Sequence, residues 1–283
     1  MNIIEKKLFE TQAMKVANPE KPFWYTSGKL GPYFINTHFL YGNETAACEL
    51  LEKITNLVEN PVDLIKAISE DVWNFYETNS LYHDVMDEFA AMLKTNETFN
   101  SCGVITGGER RDWFFSIVAA RLTGKKHYFI FKDLAIYDEN GVKVDSLNGE
   151  KVAHIADLIT EASSYDRAWI PAIEAAGAKM VFTASIVDRN QGGRKLLESK
   201  NVEMFAPVSI DHEFFTCAKE EGILSEAQFK MVYDFTENPD AYGIAFLKSH
   251  PNYIQESIEN GDKSTKSKAQ RCLDTDPYHL NNK

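Results

Sequence analysis

The sequence has few cysteines and no long apolar segment. Its 283 residues include four cysteines, Cys48, Cys102, Cys217 and Cys272, which lie far apart without a Cys-x-x-Cys pair. This spacing indicates neither a zinc site nor a disulfide framework, and a reducing cytoplasm is the expected location. No stretch approaches the roughly 20 apolar residues that a membrane span needs. The charged, amphipathic segment 1–16 is not expected to be a signal peptide.

An excess of basic residues is also missing. The chain has 30 Lys and Arg against 42 Asp and Glu, which gives a formal net charge of −12. Nucleic acids and anionic membranes bind basic surfaces, so neither is an expected partner. Any phosphate group must therefore be bound by a local cluster of cations. The hydrophobic fraction of 44% is enough for a sizeable core.

Short apolar segments alternate with helical patterns in the central part of the chain. Residues 127–131, 152–155 and 179–187 have the character of buried strands, and 113–122 and 165–176 have apolar residues at helical spacing. This alternation predicts the α/β class, with a mostly parallel central sheet flanked by helices.

Polar residues follow two of these strands. Asp157 and Thr160 come after the strand at 152–155, and Asp188 and Arg189 come after the strand at 179–187. The carboxyl ends of parallel strands are where ligands bind, and a helix N-terminus there favours an anion. The two loops are therefore expected to share a ligand crevice. His154 lies within the apolar strand and is interpreted as a core residue.

Four segments in order resemble the type I phosphoribosyltransferases, in particular the orotate phosphoribosyltransferases. The first reads Thr-Ser-Gly-Lys-Leu-Gly-Pro-Tyr-Phe-Ile-Asn and is the most specific. The resemblance covers roughly residues 23–209. The segments are Thr26 to Asn36, Gly103 to Gly108, Val152 to Ser164 and Val187 to Gly193.

The resemblance implies a fold, a reaction and a set of site residues. The fold is the type I sheet with a small N-terminal hood and extra helices. The reaction transfers 5-phosphoribosyl from phosphoribosyl pyrophosphate (PRPP) to a nucleobase, with orotate expected, giving orotidine 5′-monophosphate and pyrophosphate. Mg²⁺ is the implied cofactor, held mainly by the diphosphate without an assigned protein ligand. A homodimer is expected.

The resemblance carries roles over to particular residues. Lys132 and Asp157 are the predicted catalytic residues. The predicted PRPP and phosphate contacts are Lys29, Thr106, Gly107, Gly108, Arg110, Thr160, Ser163 and Ser164. The predicted base contacts are Tyr33, Phe34 and Arg189.

Three departures from the family pattern support an alternative function. The strand ends in Ala156-Asp157, where the family has two adjacent acids, and Glu161 stands in the phosphate loop, where it repels a phosphate. Lys132 is the one lysine of the catalytic-loop stretch 131–141. The alternative is a catalytically impaired, phosphoribosyltransferase-like protein that binds a nucleotide or regulates.

Each proposed role also has a purely structural interpretation. Lys132 is also compatible with an ordinary solvated charge, and Asp157 with a helix N-cap. Gly107 and Gly108 are compatible with a simple turn, and Tyr33 and Phe34 with core residues.

The predicted domain organisation is one α/β domain over residues 1–250. Within it lie a hood segment at 1–40, a helical insertion at 60–98 and a helical C-terminal extension at 212–250. Residues 251–283 are predicted to be a polar tail. The insertion is interpreted as a helical layer packed on the sheet, with a dimer or partner face as the alternative.

Overall fold

The computed structural model describes residues 1–280. The strands within this range are β1 Met14–Val16, β2 Phe23–Trp24, β3 Leu30–Gly31, β4 Tyr33–Ile35, β5 Val104–Gly108, β6 Lys126–Ile130, β7 Ile136–Tyr137, β8 Lys151–Ile159, β9 Lys179–Asp188, β10 Glu203–Phe205 and β11 Val208–Ser209. The α-helices are α1 Ile3–Glu10, α2 Glu44–Leu57, α3 Pro61–Thr78, α4 Ser80–Lys94, α5 Glu97–Asn100, α6 Trp113–Thr123, α7 Ile170–Ala175, α8 Gly193–Ser199, α9 His212–Glu220, α10 Glu226–Glu237, α11 Pro239–Ser249, α12 Tyr253–Asn260 and α13 Lys263–Thr275.

Two compact units contain these elements. The first comprises Met1–Ala13 and Asn36–Ile210, and the second comprises Met14–Ile35 and the described residues from Asp211 onward. The prediction of one domain over 1–250 differs from this division. The physical reason is that strands β1 to β4 make their contacts with helices that follow Asp211, a long-range association that no local pattern encodes.

A seven-stranded sheet forms the centre of the first unit. Its strands run in the order β10-β9-β8-β5-β6-β7, with β11 also paired to β9. All pairs are parallel except β6 with β7. The chain passes from β5 to β6 on one side and later places β8 on the other side of β5. The order therefore reverses between β5 and β8, which is where open α/β sheets bind ligands.

Buried side chains explain why this sheet is central. Residues 152–157 of β8 are all buried, as expected for a strand covered on both faces. Helix α6 is buried along most of its length and contacts both β5 and β8 on the sheet and α3 and α4 on the opposite side. The predicted mostly parallel α/β fold is confirmed.

The helical insertion is interrupted where a polar residue stands between two apolar patterns. Asn79 ends α3, its N–H donating to Phe75 O at 2.8 Å, and starts α4, its side chain accepting from Tyr82 N at 3.0 Å. The two helices bury their apolar faces against each other and against α6. These contacts support the packing interpretation of the insertion.

The second unit combines two short strand pairs with five helices. Strand β1 pairs with β4 and β2 pairs with β3, both antiparallel. Trp24 is 4% exposed in a cluster with Phe246, Leu247 and Cys272, and its Nε1–H donates to Ser257 Oγ at 2.9 Å. The apolar core of this unit therefore joins the hood strands to the C-terminal helices.

The predicted polar tail is largely helical. Helices α12 and α13 occupy residues 253–275, and the last three residues of the predicted tail, 281–283, lie outside the described residues. Ala269 and Cys272 are buried at a spacing of three on an otherwise polar α13. Such a narrow apolar stripe is hidden in average composition, which is why the tail prediction was wrong for this stretch. Within the described range, no helix is both long and apolar enough to cross a membrane.

Candidate active site

A cavity of about 380 Å³ opens at the carboxyl ends of β5 and β8. It lies where the strand order reverses. The sequence predicted a crevice shared by the loops after β8 and β9, but no residue of the loop after β9 lines this cavity. Three loops contribute most of its lining, the one after β5, the one after β6 and the one after β8. The lining residues are Glu109, Arg110, Arg111, Asp112, Lys132, Ala156, Asp157, Leu158, Ile159, Thr160, Glu161, Ala162, Ser163, Ser164, Tyr165 and Trp169.

The loop after β8 presents hydroxyl groups to this cavity. Ser163 and Ser164 are exposed, and Thr160 is partly exposed. Ala162 between them has φ +55°, a left-handed conformation that favours glycine, and it is buried. Ala162 therefore has a backbone conformation that a glycine at this position of a phosphate loop would adopt without strain.

Gly193, the first residue of α8, holds this loop from behind. Its N–H donates to Thr160 O at 2.9 Å. A Cβ at position 193 would lie 2.5 Å from Ile159 Cγ2 and 2.7 Å from Thr160 O. The absence of a side chain is therefore required for the loop to lie where it does.

We expect Gly193→Ala to destabilise the protein by about 1–3 kcal/mol, because the loop or the helix must shift to admit the methyl group. Thermal unfolding measures the loss. Gly103→Ala is the matched control, since its Cβ would meet only the end of the flexible Glu150 side chain. Equal stability of the two variants would contradict the tight packing of the loop against Gly193.

Asp157 is a buried carboxylate at the edge of the cavity. It is 9% exposed, and its Oδ2 accepts a hydrogen bond from Thr37 Oγ1 at 3.1 Å. Burial raises the pKa of Asp157 to about 7, with a further increase from the charge of Asp112; the positive charge of Arg111 opposes the shift. The side chain can therefore exchange a proton near neutral pH.

Asp112 is a site residue that the sequence predictions missed. Its Oδ1 accepts from Asp157 N and its Oδ2 accepts from Gly108 N, both at 3.0 Å. The signal was present in the charged run Glu109-Arg110-Arg111-Asp112, which directly follows β5. Sequence alone did not reveal that this run meets Asp157.

Three cations surround the cavity. Lys132 Nζ lies 3.4 Å from Glu109 Oε1, and the Lys132 side chain is 67% exposed. Arg110 donates to Thr55 Oγ1. Arg111 is exposed. Burial lowers the pKa of His38 to about 4, with a contribution from the positive charge of Arg111. The carboxyl groups of Glu109, Asp112, Asp157 and Glu161 line the same cavity, so these three cations stand among acidic side chains.

Three predicted phosphate contacts lie behind the cavity and do not line it. Thr106 is fully buried, and its Oγ1 is hydrogen-bonded to His154 Nδ1 at 2.9 Å. Gly107 O accepts from Trp113 Nε1, and Gly108 N donates to Asp112. The run after β5 reaches the cavity, while these three residues of β5 form hydrogen bonds within the protein; their roles as phosphate contacts remain predictions. His154 is fully buried, as predicted for a core residue.

The predicted base contact Arg189 follows β9 and is not among the residues around the cavity. Its N–H donates to Ile159 O at 2.9 Å, and its side chain is partly buried. The guanidinium Nε is buried without a hydrogen-bond partner among residues 1–280. Asp188 beside it is fully buried and pairs with Arg194 at 3.2 Å.

The remaining predicted contacts, Lys29, Tyr33 and Phe34, belong to the second unit. Lys29 Nζ forms an ion pair with Asp240 at 2.6 Å. Tyr33 is 3% exposed, with its ring against Phe215, which favours the interpretation as a core residue over the predicted base contact. Phe34 is half-buried and lines a different cavity, of about 1090 Å³, within this unit.

The carboxylates around the first cavity do not form a metal site of their own. Among residues 1–280 no three His, Cys, Asp or Glu side chains are grouped so that they could hold a metal ion. Both oxygens of Asp112 already accept backbone N–H groups, and Oδ2 of Asp157 accepts from Thr37. This donor set fits a Mg²⁺ held by phosphate oxygens and water, which is how Mg²⁺ is commonly bound.

Comparison with known proteins finds similar chains among the phosphoribosyltransferases. The orotate phosphoribosyltransferase of Sulfolobus acidocaldarius is 22% identical over 230 residues, 81% of this chain and 94% of that protein. The orotate phosphoribosyltransferase of Sulfurisphaera tokodaii is 23% identical over 205 residues, 72% of this chain and 83% of that protein. No family model matches the sequence.

A solved structure supports the fold. The UMP synthase of Leishmania donovani matches with a TM-score of 0.53 and 17% identity, over 82% of this chain. This chain spans only 41% of that longer protein. The sequence matches show that the chain is similar to orotate phosphoribosyltransferases, and the structure match shows the fold of the type I phosphoribosyltransferases.

Proposed function

We propose that the protein transfers 5-phosphoribosyl from PRPP to a nucleobase, with orotate as the base. The carbon–oxygen bond between ribose C1 and the diphosphate breaks, and a bond forms between C1 and a ring nitrogen of the base. The observation that carries this proposal is one cavity that holds both the buried carboxylate Asp157 and the hydroxyl loop 160–164. It lies at the switch point of the sheet, the usual place for such a ligand.

The roles follow from the charges around the cavity. Thr160, Ser163 and Ser164 bind the 5′-phosphate of PRPP through hydroxyl and backbone donors, at the amino end of the helical segment that begins at Tyr165. Asp157 accepts hydrogen bonds from the ribose hydroxyls. Lys132 and Arg110 stabilise the charge that develops on the departing diphosphate.

Mg²⁺ enters this proposal with the substrate. The metal neutralises part of the diphosphate charge, and its ligands are phosphate oxygens and water. Arg189 remains the proposed contact of the base. The roles of Lys29 and Phe34, in the second unit, remain predictions from the family resemblance. A homodimer is proposed from the family resemblance alone.

The first experiment separates PRPP binding from turnover. The purified protein is titrated with PRPP and Mg²⁺ by calorimetry, and orotate is then added while its ultraviolet absorbance is followed. Binding followed by consumption of orotate supports the proposal in full. Binding without consumption redirects the search to other bases, and the absence of binding rejects the proposed function.

Glu161 favours a second candidate, a phosphoribosyltransferase-like protein that binds a nucleotide with little turnover. Its side chain is exposed and lines the cavity beside the two serines. A carboxylate there repels a phosphate, and Ala162 stiffens the loop that must wrap it. Binding of PRPP or of a nucleotide, with no turnover of any base offered, would favour this candidate.

We expect Glu161→Gln to bind PRPP about 3- to 10-fold more tightly, because like charges at a protein surface repel by roughly 1 kcal/mol. Calorimetry at low salt measures the change, and the gain should shrink as salt screens the repulsion. Glu174→Gln, an exposed helical glutamate outside the cavity, is the control. Unchanged affinity in Glu161→Gln would place this carboxylate away from the bound phosphate.

A further inference from the structure

We propose that Asp112 is a positioning residue of this site: it supplies, from the loop between β5 and α6, the second carboxylate that β8 lacks, and holds Asp157 in place. The inference rests on the proposed function, since it concerns the same cavity. The resemblance places two adjacent acids at the end of β8, and this chain has Ala156 and Asp157 there.

The contacts of Asp112 join the two strands that flank the switch point. One carboxylate oxygen accepts from the backbone of Asp157 on β8, and the other accepts from the backbone of Gly108 on β5. Charge-assisted hydrogen bonds to backbone N–H groups are among the stronger ones. Asp112 therefore fixes the backbone at the base of the Asp157 side chain, and with it the direction in which that side chain emerges.

Buried side chains pack behind Asp112 and help to fix its position. His154 Nε2 lies 3.5 Å from Asp112 Oδ2 and has no hydrogen-bond partner in the described part of the chain. The other ring nitrogen of His154 is bonded to Thr106, and the ring stacks on Trp169 at 5.7 Å. A Cβ on Gly108 would lie 2.4 Å from Trp169 Cζ2 and 2.8 Å from Asp112 Oδ2. Glycine at 108 therefore makes room for both the indole ring and this carboxylate.

The second consequence of this placement is electrostatic. The negative charge of Asp112 adds to burial in raising the pKa of Asp157, and Arg111 opposes it. The other titratable or charged side chains around the cavity are Glu109, Arg110, Lys132, Glu161 and Tyr165, with His154 behind Asp112. A residue with a purely structural role would not change the pH at which Asp157 titrates, whereas Asp112 changes it.

The test compares kcat/KM for PRPP across pH in the wild type and in Asp112→Asn. In the wild type kcat/KM should rise as Asp157 ionises, with an inflection near 7. In Asp112→Asn the inflection should move down by about 1 pH unit or more, because a like charge is removed, and kcat/KM should fall. PRPP itself titrates near pH 6 through its phosphate, equally in all variants, so only a shift between variants counts.

Two controls keep the result interpretable. Asp84→Asn removes an exposed helical carboxylate outside the cavity and should leave the inflection unchanged. Asp112→Glu keeps the charge but displaces it, so kcat/KM should fall while the inflection stays close to that of the wild type. An unshifted inflection in Asp112→Asn overturns the proposal. If Asp112→Asn does not fold, full activity of Asp112→Glu overturns it instead.

A measurement without substrate separates this inference from the proposed function. The difference in unfolding temperature between the wild type and Asp157→Asn, followed across pH, reports the titration of Asp157. The same difference measured in an Asp112→Asn background should have its midpoint at lower pH. If PRPP does not bind, the proposed function is rejected, independently of the pH midpoint. If the midpoint is the same in both backgrounds, the role of Asp112 is rejected, independently of the enzyme's activity.

Discussion

Asp157→Asn should lose most of the activity toward PRPP while making the protein more stable above pH 7. A hydrogen bond to a charged group contributes roughly 1.5–3 kcal/mol, so kcat/KM should fall by roughly 10- to 100-fold when the carboxylate that meets the ribose hydroxyls becomes an amide. The stability should change in the opposite direction, because the folded protein buries a carboxyl group that ionises in the unfolded chain.

The sign of the stability effect follows from the raised pKa. Asp157 has a folded-state pKa of about 7, above its ordinary value, because of burial and the charge of Asp112. The stability from keeping this group neutral is therefore fully present at low pH and is lost as pH rises through about 7. Asparagine does not ionise. Its advantage over the wild type should be small at pH 4 and reach its full size above pH 7.

Thermal unfolding at pH 5 and pH 8 measures this effect. At pH 8 the unfolding temperature of Asp157→Asn should exceed that of the wild type by about 2 °C or more, because 1 kcal/mol shifts the unfolding temperature of a unit of this size by roughly 2–4 °C. Asp84→Asn is the control and should show neither change. Lower activity with lower stability at both pH values would assign Asp157 a structural role. Higher stability with lower activity is a common result when a functional residue is replaced.

Lys132→Ala should lower kcat by about 100-fold or more with little change in KM. Removing one preorganised donor to a developing negative charge typically reduces kcat by roughly 100- to 1000-fold. The leaving diphosphate gains charge as its bond to ribose breaks, so a lysine that meets it there acts more strongly in the transition state than in the ground state. Steady-state kinetics with PRPP as the varied substrate separates the two constants.

The structure provides a matched control on the same stretch of chain. Lys143 is exposed, pairs through its backbone with Tyr137 and is not among the residues that line the cavity, so Lys143→Ala should leave both constants unchanged. In the ion pair of Lys132 with Glu109 the lysine side chain is 67% exposed and the glutamate side chain only 5%, so Lys132→Ala also leaves a nearly buried carboxylate without its cation and should lower stability. Equal losses in kcat and in affinity would make Lys132 a simple binding residue.

Local patterns in the sequence predicted the elements that frame the site. The apolar run of β8 and the polar residues after it appear where the sequence predicts them. The pair Asn140-Gly141 is a turn signal, and Gly141 has φ +75° in the turn that joins Asp138 to Val142. These features depend on nearest neighbours, on side-chain period and on which residues tolerate a left-handed backbone.

Other assignments required knowledge of which distant segments meet. Thr106 lies in the middle of β5 and bonds to His154, while Asp112, four residues after the end of that strand, accepts a hydrogen bond from the backbone of Asp157. The face to which a strand residue points depends on register across the sheet, and a one-residue shift reverses it. The burial that raises the pKa of Asp157, and the neighbouring charge of Asp112, exist only once those loops converge.

The sequence by itself therefore determined the α/β class, the strand-end position of the site and the family to which the chain is similar, because periodicity and short motifs are local properties. Tertiary structure alone decided that Asp112, from another loop, meets Asp157, that Tyr33 lies in a core and that the helices after Asp211 contact the hood strands. Those outcomes depend on the burial and pairing of residues 45 to more than 200 positions apart, as in Asp157 with Asp112 and Trp24 with Ser257. Contacts at such separations are set by the packing of the whole chain and are not encoded in any short window.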